Sequence, residues 1–401
     1  MYLCTLSQTL AAAGDEPGKG RTKVTVALEA TLHTRIKPVK RSEGRNAVRS
    51  AAYRSGSLLT CERTSESWDY SNRRGVEHTE ILAPEGAPAW ATDREALWNR
   101  AESAERRKDS QVAREYEFLF SYDLTPDQRA ALAREVASEE FVARGMVADF
   151  AVHRYGRAWK AGKEGTEETI AKWRAWGLPF LDEATSARSE MQHVMVTHGR
   201  DGEEKAYYLF QPHCHIQLTM RPLSADGEGF EKKSAGSVAR SWNDQASYDG
   251  IRERTAARQN RVLEETESAR RLDHRSYEAR REEAEGLAQE AREAGRHEEA
   301  AHFEARVRHF TRDPQPYLGF ALRVKELTGH IRERFNQWVA VHHKNRVRDY
   351  VDMVEQHEPL AMEERVGAFL TRTARMLGLE RLYAALAPEP EPPERERGYE
   401  R

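Results

Sequence analysis

Residues 211–220, QPHCHIQLTM, carry two histidines two positions apart and then alternate polar with apolar side chains. Read as a β-strand, His213, His215, Gln217 and Thr219 share one face, and Cys214, Ile216, Leu218 and Met220 share the other. Two neutral imidazoles at i and i+2 can reach one divalent ion without bending the backbone. Two ligands do not hold a metal, and a surface strand can carry two histidines with no ion, so the chemistry depends on what else the fold brings there. His153, at the end of MVADFAVH (146–153), can supply a third imidazole. In EYEFLF (115–120), Glu115 and Glu117 face away from Tyr116, Phe118 and Phe120, and either carboxylate can orient an imidazole or join the ion. Tyr53 lies between Arg49 and Arg54 in a short basic helix. A phenol ionises near pH 10 in water, and adjacent cations favour its anion. A metal, a tyrosine and a phosphate-binding surface together point to nucleophilic attack on a phosphodiester.

Composition sets the frame for that chemistry. Charged residues make up 32% of the 401 positions and mean hydropathy is −0.83, which describes a highly charged chain with extended solvated helices. No apolar run approaches a membrane span and the amino terminus lacks an export signal, so no membrane insertion is expected and the cytoplasm is the expected compartment. Cys4, Cys61 and Cys214 are far apart, which argues against a disulfide framework or a thiolate zinc site. The net charge of −3 hides a local excess. Residues 21–60 hold nine Lys or Arg against Glu29 and Glu43, the kind of surface a phosphate backbone seeks.

The elements that must position these groups follow from pattern. VTVALEATLH (24–33) reads as a strand, with a turn around Pro38 and Gly44 before the alanine-rich helix NAVRSAAYRSG. WDYSNRRGVEHTEILAPEGAPAW reads as loop with one short strand, EHTEIL; DREALWNRAES and the Thr125-capped TPDQRAALAREV read as helices. A strand from 146 is expected to end at His153, followed by an insertion at 154–190 and a hairpin arm, MQHVMVTHGRDG, leading to the histidine strand. Residues 239–310 read as charged, solvated helix. The expected fold is α+β, an antiparallel sheet flanked by helices with a helical carboxyl-terminal extension. The division expected is an extension at 1–22, a catalytic domain at 23–238, a charged helical part at 239–319, further helices at 320–386 and a disordered tail at 387–401.

GRNAVRSAAYRSG, WDYSNRRGVEHTEILAPEGAPAW, VAREYEF, MVADFAVH, QPHCHIQLTMRP and RLDHRSYEARR stand in this order between residues 24 and 319. In that order the chain resembles the MobA/MobL relaxases, the mobilisation proteins of plasmids and integrated conjugative elements. The resemblance implies the two-histidine endonuclease fold, with Cys214 in the hydrophobic place between the histidines. It implies that Tyr53 attacks a scissile phosphate of single-stranded or supercoiled DNA at a transfer origin, leaving a 5′-phosphotyrosine and a free 3′-hydroxyl. His153, His213 and His215 would hold a divalent cation, Mg2+ or Mn2+, with Glu115 in the active-site region and Glu117 as its alternate. Arg45, Arg49, Arg54, Arg73 and Arg74 would face DNA. In most relatives the first histidine stands a short loop before the pair, whereas here sixty positions separate His153 from His213, which makes His198 an alternative third ligand. Tyr70, beside Arg73 and Arg74, is the alternative nucleophile.

Other readings are a non-cutting DNA-binding accessory, a rolling-circle replication initiator using the same chemistry, and a cupin-like metal enzyme. The intact tyrosine, carboxylate and histidines argue against the first, and the order of the flanking motifs favours mobilisation over the second. The third leaves the basic tyrosine helix unexplained. The motif G-x-x-x-x-G-K-[ST] is absent, so a separate helicase, or accessory mobilisation and coupling proteins, are the expected partners.

Overall fold

The computed structural model describes residues 28–175, 177–232 and 244–311. The extension expected at 1–22, the helices expected at 320–386 and the tail at 387–401 lie outside the described residues. Two compact units divide after His274. In chain order the first contains β1 (Leu28–Thr31), β2 (Thr34–Lys40), α1 (Ala47–Ser55), β3 (Leu58–Cys61), β4 (Glu66–Asp69), β5 (Val76–Leu82), α2 (Arg94–Ala104), β6 (Gln111–Leu119), α3 (Pro126–Glu140) and β7 (Ala148–Lys160). It continues with α4 (Thr166–Ala175), β8 (Phe180–Leu181), α5 (Glu183–Arg188), β9 (Val194–His198), β10 (Glu204–Leu218), α6 (Gln245–Glu265) and β11 (Arg270–Asp273).

The main sheet runs β2-β6-β10-β7-β5 with every neighbouring pair antiparallel; β9 joins the outer half of β10, and β8 pairs parallel to β9. Alternation decides which face each residue takes. Tyr116, Phe118, Phe150, Val152, Cys214, Ile216 and Leu218 are fully buried in a core completed by Leu132 and Val136 of α3 and Ile251 and Leu263 of α6. Helix α3 starts where the sequence signals it, with a Thr125/Gln128 capping box and Pro126 in the first turn. On the opposite face α1 and α2 build a second core from Val48, Ala51, Ala52, Leu97 and Trp98 over Val112, Ala113 and Val147. The sheet therefore has helices on both faces, and the histidine face is only partly covered.

Four local expectations need correction. The segment expected to turn at Pro38 is the edge strand β2, where a residue without an N–H is tolerated because, among the described residues, no strand pairs with its other side. Trp68 and Asp69, expected in a loop, belong to the second strand of the β3–β4 hairpin. The strand expected to end at His153 runs on to Lys160, because β10 continues beside it as far as Ala206. Its far end, with α4, β8, β9 and the start of β10, encloses a small separate core of Trp159, Ile170, Trp173, Phe180, Val196 and Tyr207. Finally, Arg270–Asp273 interrupts the expected helical run and pairs parallel to β1. A strand reading RRLD shows no apolar alternation, so a contact more than two hundred residues away determines its state. The second unit, from Arg275, contains α7 (Tyr277–Glu293) and α8 (His297–Phe310), a helical hairpin closed around Ala284, Ala288, Ala291 and Ala300.

Candidate active site

The central strands β7 and β10 place His153 directly opposite His213, with His215 one pleat further along the same face. The ring centroids are 5.2 Å apart for His153 and His213, 5.1 Å for His153 and His215, and 4.9 Å for His213 and His215. One ligand atom from each imidazole lies within 4.8 Å of the other two. Just before this trio the β7–β10 register shifts between Phe210 and His213, the interval that holds Gln211 and Pro212. A bulge of this kind re-aims the side chains that follow it and accommodates a proline in a central strand.

Each ring is oriented by a hydrogen bond. His213 Nδ1 donates to the Gln211 carbonyl at 2.7 Å, and His215 Nδ1 lies 2.5 Å from Glu115 Oε1. His153 Nε2 donates to the carbonyl of Arg54 at 2.7 Å. Burial, followed by neighbouring positive charge, holds His153 well below the usual imidazole range, and burial and then His215 lower His213 to about 3. Both rings are thus neutral near pH 7, the form that ligates metal. Three ring nitrogens, each ring fixed by a second partner, fit a divalent cation. Glu115, Glu117 and His215 form a second cluster of similar size, but its carboxylates are already neutralised. Glu115 is paired with Arg54 at 2.7 Å, and Glu117 accepts from Arg35 at 2.9 Å and Lys37 at 2.7 Å. Burial raises the Glu117 carboxyl, but His215, Lys37 and Arg35 outweigh it and hold the group at about 2. For Glu115 burial is likewise outweighed, chiefly by Arg54 and His215, and the carboxyl lies well below its usual range.

Helix α1 lies across this face. Asn46 caps it by accepting from Arg49 N–H, Gly56 ends it at φ 65°, and its buried alanines let its backbone approach the sheet. Gln217 Nε2 donates to the Ala47 carbonyl at 3.0 Å while Gln217 Oε1 accepts from Arg54, so one side chain ties helix, arginine and histidine strand together. Tyr53, on the outer face of α1, is 46% exposed. Its ring meets Tyr70 edge-on at 5.2 Å, and the Arg73 guanidinium lies 3.8 Å from its centroid. The loop carrying Arg73 is drawn against β7 at Gly75, which has φ 78° and whose carbonyl accepts from Arg154 N–H at 2.7 Å. A Cβ there would sit 2.5 Å from the Tyr155 ring, so only glycine fits.

The MobA/MobL family pattern matches residues 45–165 and 185–299, more than half of the chain. The chain belongs to the MobA/MobL family. Its relatives include a "Mobilization protein MobL" of Acidithiobacillus ferridurans, 31% identical over 260 residues that cover 64% of this chain and 60% of that protein. A "Conjugal transfer protein TraA" of Agrobacterium fabrum is 28% identical over 213 residues, which cover 51% of this chain and 14% of that protein. The chain thus spans less than two thirds of either relative. A solved structure described as "Molecular Basis of Vancomycin Resistance Transfer in Staphylococcus aureus" is 26% identical, with a TM-score of 0.45, over 62% of this chain and all of that one. Among the described residues no helix is long and apolar enough to cross a membrane.

In this MobA/MobL chain the residues singled out by sequence lie as follows. His153, His213, His215 and Glu115 meet in one cluster, with Tyr53 on the helix above. His198 is at the exposed end of β9, opposite Glu204 and outside that cluster. Arg45 donates to the Pro38 carbonyl, and exposed Arg49 lies 6.0 Å from the Trp68 ring centroid. Arg74 pairs with Glu183. Arg54, grouped by sequence with the DNA-facing arginines, instead points inward to Glu115 and Gln217. The part of Gln217 as the link between helix and strand was missed, although its place two residues after His215 put it on the site's face.

Proposed function

We propose that this chain is a relaxase that nicks one DNA strand at a transfer origin by tyrosine transesterification and later rejoins it. The observation that carries the reading is the position of Tyr53. It is exposed on a helix whose next residue, Arg54, receives the His153 N–H on its carbonyl and holds Glu115, the carboxylate that orients His215. Tyr53 Oη gives up its proton and forms the new bond to phosphorus as the bond to the 3′ oxygen breaks, and the 3′ oxygen takes up a proton in turn and leaves as the 3′-hydroxyl. The 5′-phosphotyrosine keeps the phosphodiester's energy, so the 3′-hydroxyl can reverse the step. When bound to His153, His213 and His215, Mg2+ or Mn2+ would polarise a non-bridging oxygen of the scissile phosphate. Glu115 and Arg54 position His215, and exposed Arg49 and the Arg73–Arg74 loop meet the DNA backbone. Accessory or coupling proteins would carry the released strand onward.

The test is a denaturing protein gel of wild type and Tyr53→Phe after incubation with single-stranded oligonucleotides tiling the DNA around the gene, in Mn2+ or EDTA. A covalent adduct is expected for wild type in Mn2+ and absent from the variant and from EDTA. Persistence in Tyr53→Phe would transfer the role to Tyr70, whose ring adjoins. DNA binding with no adduct on any oligonucleotide would refute nicking and leave a non-cutting accessory.

A further inference from the structure

We infer that Arg73 competes with the bound cation for His153 and turns to the scissile phosphate when the cation arrives, making metal and DNA binding cooperative. The inference rests on the nicking reading above. A carbonyl oxygen only accepts, so the 2.7 Å contact with the Arg54 carbonyl puts the hydrogen of His153 on Nε2 and leaves its lone pair on Nδ1. A guanidinium only donates, so Arg73 NH2, 3.2 Å from that Nδ1, donates into the lone pair a metal would need. His213 and His215 use Nδ1 for the Gln211 carbonyl and Glu115, which leaves Nε2 for the cation. Of the three ligands, His153 is therefore the one whose coordinating atom faces a protein cation.

Arg73 differs from the arginines around it. Arg54 is paired with Glu115, Arg35 with Glu117 and Arg74 with Glu183. Among the described residues no carboxylate pairs with Arg73; its guanidinium also donates to the Tyr53 carbonyl and lies over the Tyr53 ring. Were the three imidazoles to hold a dication, His153 would give it the Nδ1 lone pair and the guanidinium beside it would be repelled. The displaced NH2, still tethered over the Tyr53 ring, then has as its natural acceptor an anionic oxygen between itself and the cation. Arg73 thus opposes the cation alone and favours the cation together with phosphate.

The experiment is Mn2+ titration of the whole chain in a Tyr53→Phe background, which binds without forming an adduct, followed by calorimetry or the EPR signal of free Mn2+. Removing one charge-assisted hydrogen bond from His153 should tighten Mn2+ binding roughly tenfold in Arg73→Met without DNA. In the same variant, the gain in Mn2+ affinity caused by an adduct-forming oligonucleotide should shrink. Arg73→Gln, also neutral, provides the same test if Arg73→Met folds poorly, and Arg73→Lys, which keeps the charge, should stay within about threefold of the parent. If His153→Ala loses Mn2+ while the neutral Arg73 variants bind it no more tightly than the parent, the inference is overturned and the metal site stands. If His153→Ala leaves Mn2+ affinity unchanged, the metal reading fails and the competition fails with it.

Discussion

Arg54→Met separates a buried structural arginine from a DNA-facing one. The guanidinium reaches both oxygens of Glu115, at 2.7 and 3.1 Å, and also donates to Gln217 Oε1. Its side chain is 11% exposed and that of Glu115 is 5%, so solvent screens the pair little. Removing one member of a buried pair leaves the other charge uncompensated, at about 3–5 kcal/mol. Urea unfolding of the whole chain at pH 7 should show that loss in Arg54→Met. Glu115→Gln should show a loss of similar size, and the double variant should fall short of the sum by about 2 kcal/mol, the coupling of groups in direct contact. Arg54→Lys should not restore stability, because an ammonium cannot bridge Glu115 and Gln217 with the planar fork of a guanidinium. The reasoning is refuted if Arg54→Met unfolds within about 0.5 kcal/mol of wild type and instead lowers the salt dependence of DNA binding by about one unit of slope. That pair of results is what an exposed phosphate contact would give.

Two further outcomes follow from local geometry. Gly75→Ala places a methyl group against the Tyr155 ring, which a 2.8 Å hydrogen bond to Ser186 holds in place, at a φ of 78° that alanine adopts with strain. It should cost about 1–3 kcal/mol in unfolding and slow adduct formation by shifting the Arg73 loop; an unchanged rate would show that the loop's approach to β7 is immaterial. Glu140 of α3 supplies the pH-dependent case. Burial raises its carboxyl, but Arg254 and Arg258 of α6, at 2.6 and 2.8 Å, outweigh it and hold the group below its ordinary 4.5. Its contribution is therefore fully present above that ordinary value and is lost as pH falls through the lower folded value. Glu140→Gln should be less stable at pH 7 and should lose stability less steeply than wild type below pH 4.5, and parallel pH profiles would refute the assignment.

What could be read from the sequence was what repeats within a few residues. The two-residue period of EYEFLF and HCHIQL placed Glu115, His213, His215 and Gln217 on one face and Tyr116, Phe118, Cys214 and Ile216 in the core. The Thr125 cap and the alanines of α1 marked their helices correctly for the same local reason. What escaped was set by distant partners. β2 has a proline and alternating cations, and it is a strand because it pairs with β6 at the edge. β11 is a strand because β1 lies beside it. The continuation of β7 past His153 reflects the length of β10 rather than any signal in RYGRAWK.

The same distinction explains why the arginines were harder to assign than the histidines. A histidine two residues from another on a strand has its direction fixed by the pleat, whereas an arginine on a nine-residue helix can face solvent or sheet, and its long side chain reaches either. Arg49 and Arg54 lie five positions apart on α1, far enough around the helix for one to face outward beside Trp68 and the other inward to Glu115. Which one turns inward depends on Gln217 and Glu115, contributed by two strands far along the chain. One network thereby fixes the height of α1 over the sheet, the orientation of the His215 ring and the carbonyl that receives the His153 N–H. Tyr53 and the three imidazoles are held to a common frame, so a change beneath the helix at Gln217 should be felt at Tyr53 although it touches neither Tyr53 nor the imidazoles.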